Sequence, residues 1–314
     1  MRHILKKFPT GKRKVVLTIG MFDGLHRGHK FILRTLIRRA EKLGVRSAVV
    51  TFWPHPQRVL GVRFEGHITD PHQKMRMISS VGVDYIWVLK STQGLLKMRG
   101  KDFIEKLASH LDIVEIVVGD DFKFGYKRKE DVQSLKGIAS SLGFRVVTVK
   151  KRKIRGKVIS SSFIRRLIKK GRFKEARLCL GRAFILELPV IKGRGRGRKL
   201  GYPTVNLDYD NFVVPESGVY AVCVRYRGRI YLGAANIGYR PTFGGKNLSF
   251  EIHLIGFRGN IIRKKISILF LEKLRKERKF SSISSLIRQI QKDISYIVSR
   301  YSTPHHSCAQ LIVP

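Results

Sequence analysis

Two histidines stand three residues apart across a glycine in Gly20-Met21-Phe22-Asp23-Gly24-Leu25-His26-Arg27-Gly28-His29, directly after the apolar run Val15 to Ile19. That pattern suits phosphate chemistry at a strand-to-helix junction. If a strand ends near Gly20 and a helix begins near His26, the unpaired N–H groups and positive dipole end of the helix face an anion. Side chains three apart share a helix face, so both imidazoles can donate to one phosphate, and Gly28 admits that group close to the backbone. The plain alternative is a turn with two solvated histidines, and the strand-loop-helix setting is what separates the two readings. Three further groups could do chemistry. Ser160-Ser161-Ser162 precedes Ile164, Leu167 and Ile168, as a helix cap does. In the run from Gly193 to Lys199, glycine N–H groups could wrap a phosphate chain while arginines offset its charge, although such runs also serve as flexible or RNA-associated linkers. Glu251 lies in an alternating segment, where a carboxylate is ordinarily a solvated strand residue.

The elements that must position these residues follow from hydrophobic period. Val15 to Ile19, Ser47 to Phe52, Tyr85 to Leu89, Ile113 to Val118 and Arg145 to Val149 read as strands; Lys30 to Leu43, Pro71 to Val81, Gly100 to Leu111 and Val132 to Leu142 read as helices. This alternation predicts a parallel sheet covered on both faces, with ligands at the carboxyl ends of its strands. The His26/His29 turn and Pro54-His55-Pro56 both fall there. Ser160 to Arg182 turns helical, with a second helix from Phe173 to Leu180. After Gly181 the character changes. Gly218 to Tyr226, Arg229 to Asn236, Phe250 to Ile255 and Lys265 to Phe270 alternate between Gly, Pro and Asn turns and predict a β-barrel, closed by an amphipathic helix over Ser281 to Ser299.

Composition bounds the class. At 314 residues with 43% apolar content, two ordinary cores are expected. No window approaches the ~18 uninterrupted apolar residues of a membrane span, and the basic start, Met1 to Lys14, lacks an apolar signal region, so a cytoplasmic protein without membrane partners is expected. Cys179, Cys223 and Cys308 are odd in number, far apart and outside any metal-ligand spacing, which predicts inert thiols rather than a disulfide framework. The net charge of +42 is the electrostatic footprint of a nucleic-acid binder, but the cations are scattered, with clusters only at Lys150 to Lys157, Arg194 to Lys199 and Arg263 to Lys279. A generally basic surface handling anionic substrates explains it equally. His305, His306 and Cys308 near the chain end read as part of a disordered tail over 302–314.

Several motifs line up in order: GMFDGLHRGH, TFWPHP from Thr51 to Pro56, GDDFKFGYKR from Gly119 to Arg128 and ISSSFIRRLIKKGRFKEARLCLGR from Ile159 to Arg182. Then come GRGRGRKLGYPTVNL from Gly193 to Leu207, GVYAV from Gly218, ANIGYRPTF from Ala235 to Phe243, FEIHL from Phe250 and LRKERKF from Leu274. Together they resemble the bacterial bifunctional riboflavin kinase/FMN adenylyltransferases, or FAD synthetases. The resemblance implies an α/β plus β fold. A Rossmann-like nucleotidylyltransferase domain over 1–183 would adenylylate FMN to FAD and release pyrophosphate. A six-stranded antiparallel β-barrel with a closing helix, over 184–301, would phosphorylate riboflavin to FMN. ATP would be the co-substrate, Mg²⁺ the cofactor, and the flavins substrate and product.

By the same resemblance, His26 and His29 contact the ATP phosphates and stabilise the transition state. Gly20, Phe22, Gly28 and Asp121 belong to the nucleotide site, and Ser161, Ser162 and Arg165 hold the β- and γ-phosphates, a task that suits the planar fork of arginine. His55 lies on the flavin side, although Trp53 stands where the family has a small polar or acidic residue. In the kinase half, Gly193, Gly195, Gly197 and Arg198 form the phosphate loop, Thr204 and Asn206 of PTVN hold Mg-ATP, Glu251 is the general base, and Arg275 lies near the flavin. The departures lie between Ile255 and Arg263. The family follows its glutamate strand with LLDF and a DLYG turn; this chain reads Leu254-Ile255-Gly256-Phe257 and Asn260-Ile261-Ile262-Arg263. Two alternatives stay open: an adenylyltransferase with an impaired kinase half, and a basic nucleic-acid-binding protein on an enzyme scaffold. Oligomeric state is not legible.

Overall fold

The computed structural model describes residues 3–5, 12–193, 195–242, 245–302 and 308. His305 and His306, Arg194 and Phe243 therefore lie outside the described residues, as does most of the expected tail. By packing, the chain forms two units, Met1–Phe64 with Pro71–Ser161, and Glu65–Asp70 with Ser162–Pro314.

The first unit is a parallel sheet between helices. Its elements are β1 (His3–Leu5), β2 (Lys14–Ile19), α1 (Arg27–Lys42), β3 (Arg46–Trp53), α2 (Pro56–Val59), α3 (Pro71–Val81), β4 (Tyr85–Lys90), α4 (Gln93–Lys97), α5 (Gly100–His110), β5 (Asp112–Gly119), α6 (Val132–Leu142), β6 (Arg145–Val149) and the short hairpin β7 (Lys153–Ile154) and β8 (Lys157–Val158). The six-stranded sheet has the order β1-β4-β3-β2-β5-β6, and every pair in it is parallel. From Val15 to Ile19 every residue of β2 is buried, as a strand covered on both faces must be. One face packs against Leu33, Leu36, Met75 and Ile78, the other against Phe103, Ile104, Leu107 and Leu135. The chain runs from β2 outward to β3 and β4, then returns to β5 beside β2. The order of connections therefore reverses between β2 and β5, and the crevice at their carboxyl ends is where such sheets bind ligands. Inside the sheet, the fully buried Glu115 of β5 accepts from Arg39 of α1 at 2.7 Å and pairs with Arg145 of β6 at 3.1 Å, fixing α1 to the sheet.

The second unit holds α7 (Ser161–Lys169) from Ser162 onward, and α8 (Phe173–Leu180). A closed barrel of antiparallel pairs follows, built from β9 (Ile185–Ile191), β10 (Thr204–Leu207), β11 (Gly218–Tyr226), β12 (Arg229–Thr242), β13 (Gly245–Leu254) and β14 (Lys265–Arg275), with α9 (Arg196–Lys199) between β9 and β10 and the final α10 (Ile283–Tyr301). The barrel order is β10-β13-β12-β11-β14-β9. Its core is aromatic: Phe270 stacks on Phe173 at 5.1 Å and on Phe184 at 6.0 Å. Composition changes at Gly181, but packing changes at Ser161, because Phe173 on α8 joins the barrel core. β9 alternates buried Leu186, Leu188 and Val190 with Glu187 and Pro189, a strand period that the sequence reading did not use, and β10 is only four residues long. The expectation of unpaired, inert thiols fails for two of the three cysteines. Cys223 on β11 is bonded to Cys308, 85 residues away, while Cys179 is buried. No local spacing announces such a pair, since the chain must first fold for the two to meet.

Candidate active sites

The first site is built on the turn between β2 and α1. Gly20 donates to the Val50 carbonyl at 3.0 Å, which holds the turn to β3. Phe22 and Leu25 have positive φ, 49° and 34°, and both are buried; this costly backbone carries the chain into the helix. His26 is the N-cap of α1, and its Nδ1 accepts the His29 backbone N–H at 3.2 Å. That bond leaves Nε2 to carry the ring proton. The two imidazoles stack, with centroids 3.6 Å apart and planes 18° apart, and Phe22 meets His29 edge-on at 5.3 Å. Gly28 lies close beneath them: a Cβ there would stand 3.1 Å from the His26 ring.

The electrostatics of this cluster follow from burial. Burial lowers the His26 pKa to about 4 against the raising influence of Asp23, and burial, His26 and Lys74 hold His29 well below its ordinary value. Both rings are therefore neutral at physiological pH. They act as hydrogen-bonding groups rather than charges, and the His29 Nδ1 is buried without a hydrogen-bond partner among the described residues. The Asp23 carbonyl accepts from the hydroxyl of Ser161, the last residue of the first unit, at 2.9 Å. Lys74 of α3 was missed by motif reading. It is only 4% exposed and donates to Met21 O at 3.2 Å, Thr51 Oγ1 at 3.0 Å and Phe52 O at 3.3 Å. A signal was there: Lys74 occupies the same helical face as Ile78, an odd place for a cation.

The other candidates of this unit stand at the carboxyl edge of the sheet. His55 caps α2, accepting from Gln57 N at 3.3 Å, and its ring lies 4.6 Å from that of Phe64. Asp121, after β5, is exposed and pairs with Lys151 at 3.1 Å. Ser162 and Arg165 belong to the second unit. Arg165 is buried and donates from Nε to Gly66 O at 2.7 Å.

The second site lies on the β10–β13 pair. Asn206 is opposite Glu251, and Thr204 is opposite His253. Thr204 Oγ1 donates to Glu251 Oε2 at 3.0 Å, which orients the carboxylate. The glycine-rich loop closes on this pair: a Cβ on Gly193 would stand 2.0 Å from Asn206 Nδ2, and one on Gly197 would stand 2.3 Å from Tyr202 O. Gly195 takes φ +70°, and Arg198 donates its backbone N–H to the Gly195 carbonyl. The site thus joins Gly193, Thr204, Asn206 and Glu251 directly. Arg275, at the end of β14, is instead held by Asp293 of α10, with contacts at 3.0 and 2.9 Å. In the divergent turn, Phe257 packs edge-on to Tyr231 at 5.3 Å, and Asn260 Oδ1 accepts from Ile262 N at 3.0 Å.

Residues 9–163 match the family described as FAD synthetase, and residues 180–300 the family described as riboflavin kinase. A bifunctional riboflavin kinase/FMN adenylyltransferase of Bacillus subtilis is 34% identical over 96% of this chain and 96% of its own length. The chain belongs to the bifunctional riboflavin kinase/FMN adenylyltransferase family. Its Escherichia coli K12 relative of the same name is 33% identical, with 93% of each chain covered. Among solved structures, a Streptococcus pneumoniae chain named as a macrolide-efflux protein is 28% identical, with TM-score 0.80 over 95% of this chain and 98% of that one. Among the described residues of this family member, no helix is long and apolar enough to cross a membrane.

Proposed function

We propose that the chain phosphorylates riboflavin to FMN at the barrel and adenylylates FMN to FAD at the parallel-sheet unit, with ATP as donor at both. The observation that carries this reading is two separate side-chain assemblies in one chain, the His26–His29 stack at a helix N-terminus and the Thr204–Asn206–Glu251 group on a barrel strand pair, each suited to binding a phosphate. The functional halves are 1–183 and 184–301, and the enzyme works in the cytoplasm.

Adenylyl transfer needs positioning and charge neutralisation, without a covalent nucleophile. Neutral His26, through Nε2–H, and His29 contact the ATP phosphates, and the amino end of α1 adds its dipole. Gly20, Phe22 and Gly28 shape the turn, Asp121 lies on the nucleotide side of the crevice, and His55 on the flavin side. Ser161, Ser162 and Arg165 hold the β- and γ-phosphates of ATP.

In the barrel, Gly193, Gly195, Gly197 and Arg198 wrap the ATP phosphates. Glu251 receives the proton of the ribityl hydroxyl as the phosphoryl group moves, where orienting the nucleophile matters more than basicity. Thr204 and Asn206 would hold Mg²⁺ through their side-chain oxygens, and the Gly193 backbone closes on Asn206 with no room for a side chain. Charge on the transferred group would be offset by Mg²⁺ held at these oxygens. Arg275, held by Asp293, sets the end of β14 on the flavin side. The folded turn from Gly256 to Arg263 supports a working kinase half rather than an impaired one. Nonspecific attraction of nucleic acid to the +42 chain belongs to the same reading and falls steeply with salt.

The test is chromatography of flavins after incubation with ATP and Mg²⁺, started from riboflavin or from FMN. His29→Ala is expected to cut FAD formation by at least ~100-fold and spare FMN formation, and Glu251→Gln to do the reverse. Unchanged phosphorylation in Glu251→Gln would remove the base assignment.

A further inference from the structure

A buried lysine held by neutral hydrogen-bond acceptors is costly, because its ammonium gives up water and carbonyl and hydroxyl dipoles repay only part of the loss. Lys74 is such a residue. Its hydrogen-bond acceptors are Met21 O, Thr51 Oγ1 and Phe52 O, and none carries a charge. Met21 lies in the turn that leads to His26 and His29; Phe52 lies at the end of β3, three residues before His55. One ammonium therefore joins the turn on the phosphate side to the turn on the flavin side, and Thr51, which also donates to Met21 O at 3.3 Å, completes the bridge. Burial lowers the Lys74 pKa to about 8 although Asp23 opposes the shift, so the group is still mostly protonated at neutral pH. An apolar side chain would fill this place at lower cost unless the bridge were needed.

Resting on the adenylyltransferase reading above, we propose that Lys74 is a positioning residue for adenylyl transfer, clamping the His26/His29 turn against the His55 turn so that the α-phosphorus of ATP and the phosphate of FMN are held in line. Lys74 acts through these two turns and touches neither substrate. Its loss should therefore lower turnover with little change in the strength of ATP binding. A merely structural lysine would lower the melting temperature and leave kcat alone.

The experiment uses the full chain and compares wild type, Lys74→Met, Lys74→Arg and Thr51→Val. Steady-state kinetics are measured for FAD formation from FMN and for riboflavin phosphorylation, with melting curves alongside. Lys74→Met is expected to lower kcat for FAD formation ~100-fold, the scale of a reacting-group misplacement of about 1 Å, with the KM for ATP within about threefold. Riboflavin phosphorylation should be unaltered. Lys74→Arg, which keeps the charge and donors, should recover at least about a tenth of wild-type kcat. Thr51→Val removes one arm of the bridge with little change of volume, and a drop in kcat of roughly tenfold is expected. If Lys74→Met folds and keeps its kcat, or if its loss lies wholly in the KM for ATP, the positioning role is overturned. If Lys74→Met does not fold, Thr51→Val decides by the same criterion. A wild-type enzyme that makes no FAD from FMN overturns the function and this inference together, whereas active wild type with active Lys74→Met overturns only the inference.

Discussion

A histidine that caps its own helix is committed before any ligand arrives. His26 gives Nδ1 to the His29 backbone and keeps its proton on Nε2, so its donor is set by the fold. Burial lowers its pKa to about 4 in the folded chain from the ordinary 6.5. The unfolded chain therefore binds more protons between these values, and the stabilising contribution present above pH 6.5 is lost as pH falls toward 4. His26→Asn keeps a capping acceptor but does not titrate there. Melting temperatures of the variant should accordingly fall less than those of wild type between pH 6.5 and 4; parallel curves would show that His26 is not buried as a neutral ring.

Among the elements, the turn joining β13 to β14 carries the clearest mark of this chain's divergence. Arg263 stands where the family pattern has glycine, and its φ of 62° lies in the left-handed region. Its side chain is exposed, and its backbone N–H donates to Val190 O at 2.8 Å, so the conformation is imposed by the strand ladder. A left-handed residue with a Cβ costs about 1 kcal/mol, and Arg263→Gly should stabilise the barrel by roughly that amount in denaturant melts. A loss of stability would mean that the arginine side chain compensates for the strain. The Asn260 Asx turn and the Phe257 anchor keep the remainder of the turn ordered without the family's aspartate and tyrosine.

At the scale of the whole molecule, the Cys223–Cys308 bond ties the region after α10 to β11 across 85 residues. By chain entropy, constraint of so long a loop contributes up to about 4.6 kcal/mol. Cys223→Ser should therefore melt at a lower temperature than oxidised wild type and at about the same temperature as wild type kept reduced. Equal melting of oxidised and reduced wild type would refute the bond's contribution. The alternation of short apolar strands with helical periods was enough to determine a parallel sheet, and the helices over Pro71–Val81, Val132–Leu142 and Phe173–Leu180 came out with those bounds, because local period records which face is buried. Motif order likewise determined the family, since HxGH, PTVN and the Glu251 strand each carry their spacing along the chain. Tertiary structure alone decided the rest. The stacking of His26 on His29 and the neutrality of both rings depend on what surrounds them. So do the assignment of α7 and α8 to the barrel unit, the disulfide, and the burial of Lys74 between two turns. These are relations between residues distant in sequence, and composition and spacing do not encode a desolvation cost or a partner until the strands that bring them together have paired.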